Sequence, residues 1–225
     1  MQRPAIQGFL FDLHGVIADS WQYHLASWRK IAQELKVPWT PQLAETLPGM
    51  SRRASLAAIL SSDGQTSKLT EQQFQAIATH ENELYQRMIA KMTPANRLPG
   101  VTNFLKELVA AGYPMALASA STNAPAEIVR LGLTGFFPKI VAADQLQRSK
   151  PAPDVYLAAA KLVGFPPENC VAFEDTVTGI QAAKAAGCST IGINQQALPG
   201  ADAMLADTTA LSLATVLRAL GQPIV

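Results

Sequence analysis

The chain changes its hydrophobic rhythm twice. Near its start a short apolar run, Gly8-Phe9-Leu10-Phe11, ends on Asp12, with His14 and Gly15 close behind. An apolar run of this length bounded by turn formers predicts a strand buried on both faces, as in a parallel sheet. The apolar positions then switch to helical spacing. Leu25, Trp28, Ile31, Ala32 and Leu35 predict a helix over 21–36, which Pro38 ends. Pro41 opens a short helix to Leu47, Ser51 caps a third running to Leu60, and 61–68 reads as a polar loop. Thr70 and Gln73 form a capping box for a long helix to about Lys91, stopped by Thr93-Pro94.

Past Gly100 strand and helix patterns alternate. Helices are predicted over 101–111, 124–131, 153–163, 177–186 and 211–220, and strands over 114–119, 140–143, 171–173, 190–193 and 203–205. Such alternation predicts an α/β fold, a Rossmann-like parallel sheet with helices on both faces. Residues 1–18 and 94–225 are expected to form that core, and 19–93 a helical cap inserted after the first strand. The two crossings, near 18–19 and 92–99, would make a paired linker that lets the cap open and close.

Composition narrows the picture. The 225 residues are 48% hydrophobic, enough for one good-sized domain or one with a smaller companion. With 18 Lys+Arg against 17 Asp+Glu, nothing argues for a nucleic-acid surface. No apolar run approaches the roughly 18 residues of a membrane span, and no signal-peptide pattern precedes the first strand. A cytoplasmic monomer is expected, without nucleic-acid or membrane partners. Cys170 and Cys188 fall in or beside apolar runs, so buried free thiols are expected.

Candidate chemistry lies where four strand-like segments end: at Asp12, at Ser119–Asn123 before a helix, at Lys150 among prolines, and at Glu174-Asp175-Thr176. Parallel strands would bring all four ends to one edge. Period two would start Asp12 and His14 on one side of the strand. Crowded carboxylates need a positive partner, which Lys150 and a hard cation such as Mg2+ would supply. The combination points to phosphoryl transfer with Asp12 as nucleophile and the Ser119 hydroxyl and nearby amides on the phosphate oxygens. Taken singly, each feature also has a plainer reading: a surface turn, a helix cap, a solvated loop lysine. Their order along the chain makes the set stronger than its members.

The segments Phe11-Asp12-Leu13-His14-Gly15-Val16-Ile17, Ala116–Ser121, Ser149–Asp154, Glu174-Asp175-Thr176 and Gly179–Ala182 resemble the haloacid dehalogenase superfamily, and within it the sugar-phosphate mutases. The resemblance covers nearly the whole chain. It implies that Asp12 is the phosphorylated nucleophile. Mg2+ would be bound by Asp12, Asp175 and the backbone carbonyl of His14, with Glu174 nearby. Ser119 and Lys150 would hold the phosphate, with Ala120 and Asn123 lining the same site. In the cap it implies His24 near the hinge, Arg52 on a distal phosphate, Asn82 on the sugar, and Trp28 and Ser55 lining the closed cleft. The implied reaction converts β-glucose 1-phosphate to glucose 6-phosphate through a bisphosphate. A sugar-phosphate phosphatase and a silent phosphosugar-binding protein are the alternatives.

Three departures from the pattern bear on function. His14 stands where the superfamily keeps an acid/base aspartate, Pro48 where the mutases keep a lysine, and Thr122 where a second lysine would lie. Imidazole trades protons near neutral pH. As imidazolium His14 would pair with Asp12 and blunt it; as neutral imidazole it would still accept a proton. Elsewhere His24, Trp21 and Trp39 also read as packing residues, His80 as solvated, and Arg52-Arg53 as a solvated pair.

Overall fold

Odd and even positions of the first strand go to different layers. In the computed structural model, which describes residues 4–62 and 69–223, the strands are β1 (Gly8–Phe11), β2 (Met115–Leu117), β3 (Cys170–Glu174), β4 (Ser189–Ile193) and β5 (Ala203–Leu205). Between and after them lie α5 (Val101–Ala110), α6 (Ala124–Arg130), α7 (Asp154–Val163), α8 (Val177–Ala186) and α9 (Leu213–Ala219), following α1 to α4 of the insert described below. Phe9 and Phe11 stack on Phe173 at 6.1 and 4.7 Å, and Phe104 of α5 meets all three edge-on. Leu10 turns the other way, into a cluster with Ala116, Ala172, Tyr156, Ala159, Ala160 and Ala182. Large aromatic side chains thus fill one face and small ones let α7 and α8 approach the other. Each buried phenylalanine contributes about 1.5–3 kcal/mol, so this stack is the main support of β1.

Every neighbouring pair in the sheet is parallel, in the order β2-β1-β3-β4-β5. Phe11 pairs with Leu117 on one side and Phe173 on the other, which aligns the carboxyl ends of β2, β1 and β3. The chain leaves β1 for β2 on one flank and later returns to β3 on the opposite flank. A crevice opens at the carboxyl end of strands where the order reverses in this way, and Asp12 stands at its mouth.

The predicted strand over 140–143 reduces to a single bridge between Ile140 and Leu117, followed by a 3₁₀ turn over Ala143–Gln145. Its partner runs out: β2 ends at Leu117, and the Ala118 N–H already donates to Phe11 O at 2.7 Å. The first strand is also short. It stops at Phe11, and residues 12–18 fold into a turn in which the N–H groups of Ile17 and Ala18 donate to Leu13 O. Period two therefore does not carry Asp12 and His14 onward together.

The chain divides into two compact units, Met1–Asp19 with Thr93–Val225, and Ser20–Met92. The second is the helical insert: α1 (Trp21–Glu34), α2 (Pro41–Thr46), α3 (Arg52–Ser62) and α4 (Glu71–Ile89). Thr40 caps α2, and Thr70 with Gln73 forms the expected capping box on α4. Trp28, Ile31, Leu43, Leu47, Leu56 and Ile59 pack the insert's own core. Ser61 and Ser62 belong to α3, and the rest of the predicted polar loop, 63–68, lies outside the described residues. The exit and return segments run side by side, Ala18 bridging Arg97 and the Asp19 N–H donating to Asn96 O at 2.9 Å. No helix among the described residues is long and apolar enough to cross a membrane.

Candidate active site

Lys150 is the centre of charge. Its Nζ donates to Asp12 Oδ1 at 2.5 Å and to Glu174 Oε1 at 2.6 Å, joining two strand ends from a loop more than a hundred residues after the first. The Tyr156 hydroxyl of α7 donates to the same Glu174 oxygen at 2.6 Å, and Thr176 Oγ1 lies 3.4 Å from the other. Burial alone would lower the Lys150 pKa, but the charges of Asp12 and Glu174 outweigh it and hold the ammonium form firmly. The Glu174 pKa is raised as well. Burial pushes its carboxyl upward, helped by the charge of Asp12 and opposed by Lys150. Tyr156 is pushed up by burial and by both carboxylates, so it stays a donor.

Two glycines make room for this arrangement. Gly15 has φ +74° in the turn after Asp12, and a Cβ there would run into the Asp175 carboxylate. Gly179, in the first turn of α8, faces the Glu174 carboxylate with the same lack of space. Thr176 caps α8 by accepting from the Gly179 N–H at 3.1 Å, and Asn194 Nδ2 donates to the Asp175 carbonyl at 3.1 Å. Carboxylate oxygens of Asp12, Glu174 and Asp175 lie within 4.8 Å of one another. An all-oxygen donor set of that span fits a hard divalent cation such as Mg2+.

Ser119 is buried just past β2, where its Oγ accepts from the Ser121 N–H at 3.2 Å. Asn123 is buried at the start of α6, and Ala120 is exposed. His14 leans toward α6, its Nδ1 3.7 Å from Oε2 of the fully buried Glu127. Burial lowers the His14 pKa, against the attraction of Glu127 and with the repulsion of Lys150, which favours the neutral ring over an imidazolium paired to Asp12.

The insert gathers a second polar group. Arg52 donates from Nε to Glu81 Oε2 at 2.9 Å and from Nη2 to Asn82 Oδ1 at 2.8 Å. His24 stacks on Tyr85 at 3.9 Å and tilts against Trp21 at 5.7 Å. Trp28 is buried in the insert's apolar core, and Ser55 is buried on α3. His80 is exposed and pairs with Glu34 at 2.9 Å, while Arg53 is tied to Glu71 and covers Phe74. The sequence-expected residues therefore fall into two sets. Asp12, His14, Ser119, Asn123, Lys150, Glu174 and Asp175 belong to the sheet unit, and His24, Trp28, Arg52, Ser55 and Asn82 to the insert.

Four residues escaped the sequence reading: Glu81, Glu127, Tyr156 and Asn194. The first two carried a signal. Each is a carboxylate on the apolar stripe of its helix, Glu81 between Ala78 and Tyr85 and Glu127 between Ala124 and Ile128, all buried. A charge at such a position is costly unless paired.

A family model described as haloacid dehalogenase-like hydrolase matches residues 9–193, and the chain belongs to that family. Its chemistry is of the phosphotransfer or hydrolase type, built on the acidic cluster just described. Among its relatives, the beta-phosphoglucomutase of Bacillus subtilis (strain 168) is 37% identical over 209 residues, 92% of each chain. The fructose-1-phosphate phosphatase YqaB of Escherichia coli (strain K12) is 31% identical over 193 residues, 83% of this chain and 95% of that one. A crystal structure of beta-phosphoglucomutase from Clostridium difficile superposes with a TM-score of 0.91 at 30% identity, covering 96% of this chain and 97% of that one.

Proposed function

We propose that this chain is a magnesium-dependent sugar-phosphate mutase that works through an aspartyl phosphate on Asp12 and converts β-glucose 1-phosphate to glucose 6-phosphate. The observation that carries the reading is the ammonium group of Lys150 held between Asp12 and Glu174 at the crevice. A carboxylate that attacks a phosphate dianion needs nearby positive charge, and Lys150 supplies one such charge permanently. Full-length similarity to beta-phosphoglucomutase supports the choice of substrate.

Asp12 Oδ attacks phosphorus, the bond to the sugar oxygen breaks, and that oxygen takes back the proton that His14 accepts in the other half of the cycle. The neutral imidazole of His14 accepts the proton of the sugar hydroxyl that attacks the aspartyl phosphate in the return step. Ser119 and Lys150 hold the equatorial oxygens, with Ala120 and Asn123 beside them. Asp12, Asp175 and the His14 carbonyl would hold Mg2+, with Glu174 behind them. Bound there, it would screen the repulsion between Asp12 and the incoming phosphate. Residues 19–93 would act as a cap over the core of 1–18 and 94–225, with His24, Trp28, Arg52, Ser55 and Asn82 facing the sugar.

A second reading, a sugar-phosphate phosphatase, is favoured by the commitment of Arg52 to Glu81 and by Pro48, which offers no charge for a second phosphate. One assay set separates the readings. Glucose 6-phosphate formation from β-glucose 1-phosphate, primed with the 1,6-bisphosphate, is measured beside phosphate release from a sugar-phosphate panel. His14→Asp is expected to raise mutase turnover by about 10²–10⁴. Undetectable glucose 6-phosphate from both forms would refute the mutase. Phosphate release no faster than in Asp12→Asn would refute the phosphatase, and calorimetric binding of glucose 6-phosphate would then point to a silent binding protein.

A further inference from the structure

Glu127 interrupts the apolar stripe of α6. Ala124, Ile128 and, just past the helix, Leu131 share that face, and all of them are as fully buried as Glu127 itself. A buried carboxylate in such surroundings is costly unless something faces it. The ring of His14 does, reaching over from the turn after β1. Its Nδ1 lies 3.7 Å from Glu127 Oε2, and the His14 side chain is 10% exposed. The separation is about 0.8 Å longer than an ordinary N–H···O bond. Such looseness is common in sites that tighten once substrate binds. Both residues belong to the sheet unit, and β2, whose end leads into α6, lies directly beside β1. Strand order therefore fixes the contact, and the insert contributes nothing to it.

We propose that Glu127 is a positioning residue: it holds the His14 ring with Nδ1–H toward α6, which makes bare Nε2 the nitrogen that a substrate hydroxyl meets. A carboxyl group at position 14 would offer two equivalent oxygens. A neutral imidazole accepts a proton at one nitrogen only, the one that carries none. Which nitrogen that is depends on the partner of the other. A carboxylate has no hydrogen to give, so it favours the proton on the nitrogen it faces, here Nδ1. The inference rests on the proposed aspartyl-phosphate chemistry and deepens it by naming the accepting atom and what orients it. In the return step the sugar hydroxyl proton passes to Nε2 as the sugar oxygen bonds to phosphorus and the bond from phosphorus to Asp12 Oδ breaks. The ring then holds both protons opposite Glu127, and Nε2 gives its proton to the sugar oxygen released in the other half of the cycle. Without Glu127 the ring turns or changes tautomer, and a protonated Nε2 meets the hydroxyl as a donor where an acceptor is required.

The test reads the ring directly. Two-bond proton–nitrogen correlation spectra of the full-length chain at pH 8 show which imidazole nitrogen carries hydrogen. The chain has 3 histidines, and the His14 signals are those missing from His14→Asp. The parent is expected to show Nδ1–H with Nε2 bare. Glu127→Leu, which suits the apolar stripe, should return the ring to the Nε2–H form that imidazole prefers by itself. In the same variant kcat for glucose 6-phosphate formation should fall about 10–100-fold, with KM changed by less than about threefold. Glu127→Gln, whose amide donates to Nδ1, should act in the same direction and repeats the comparison if Glu127→Leu does not fold. A parent ring protonated at Nε2, or at both nitrogens, overturns the inference. A variant that keeps the parent tautomer, or loses it with kcat unchanged, overturns it too. Undetectable turnover in the parent would remove the mutase reading, and the inference would then stand or fall on the tautomer alone.

Discussion

Lys150→Met keeps most of the side chain's length and removes its charge. In the folded chain the ammonium lies 2.5 Å from Asp12 and 2.6 Å from Glu174, and the three side chains are 9%, 10% and 1% exposed. Breaking a buried pair by deleting one partner costs about 3–5 kcal/mol, because a charge is left without compensation. Water still reaches Asp12, so the lower end, about 3 kcal/mol, is expected at pH 8. For a chain of this size that is roughly 6–12 °C in Tm. The pH dependence follows from the carboxyl groups. Without Lys150 the folded-state pKa of Glu174 rises further than burial already pushes it. The folded variant then binds a proton that its unfolded chain does not, so its deficit is full above the raised value and shrinks as pH falls toward the ordinary carboxylate range. In the parent, the raised Lys150 pKa works the other way: its stabilisation is fully present below the ordinary value of 10.5 and is lost only in more alkaline solution. Thermal melts of parent and variant at pH 8 and pH 5, at one ionic strength, give the comparison. Equal Tm values at pH 8, or a gap no smaller at pH 5, would refute the reasoning.

Two further outcomes follow from the same geometry. Gly179→Ala places a Cβ inside the Glu174 carboxylate, so a loss of about 1–3 kcal/mol is expected in urea unfolding, and an unchanged midpoint would show that the carboxylate moves freely. Burial pushes the thiols of Cys170 and Cys188 up to about 12, so Ellman's reagent at pH 8 should react with neither until the chain is unfolded; fast reaction in buffer would contradict their burial.

Much of this architecture was legible in the residues because local rules and tertiary packing agree. Thr70 and Gln73 announce the start of α4, Gly187 ends α8 in the left-handed region, and the apolar run before Asp12 forms a central strand. Alternation after Gly100 led to the parallel sheet, and polar residues at strand ends led to the Asp12, Lys150 and Glu174 cluster. Where pairing depends on a partner's length, the sequence was mute: Ile140–Ala143 has strand composition, but β2 is too short to hold it. After Phe11 the chain leaves the strand for a turn that Gly15 permits, which the spacing of two hides. Glu127 and Glu81 were missed for a different reason. Their neighbours Arg52 and His14 come from far away in sequence, and a helical stripe shows only that a charge is out of place, not what compensates it.

The central claim is that Asp12 takes the phosphoryl group. Full-length chain mixed with β-glucose 1,6-bisphosphate and Mg2+, quenched in acid within milliseconds and digested, yields a peptide spanning Asp12 for mass spectrometry. A single phosphoryl group on that peptide, located at Asp12 and absent from the Asp12→Asn chain, is the expected result. Measurable turnover while the Asp12 peptide stays unmodified, or a phosphoryl group found on another residue, would contradict it.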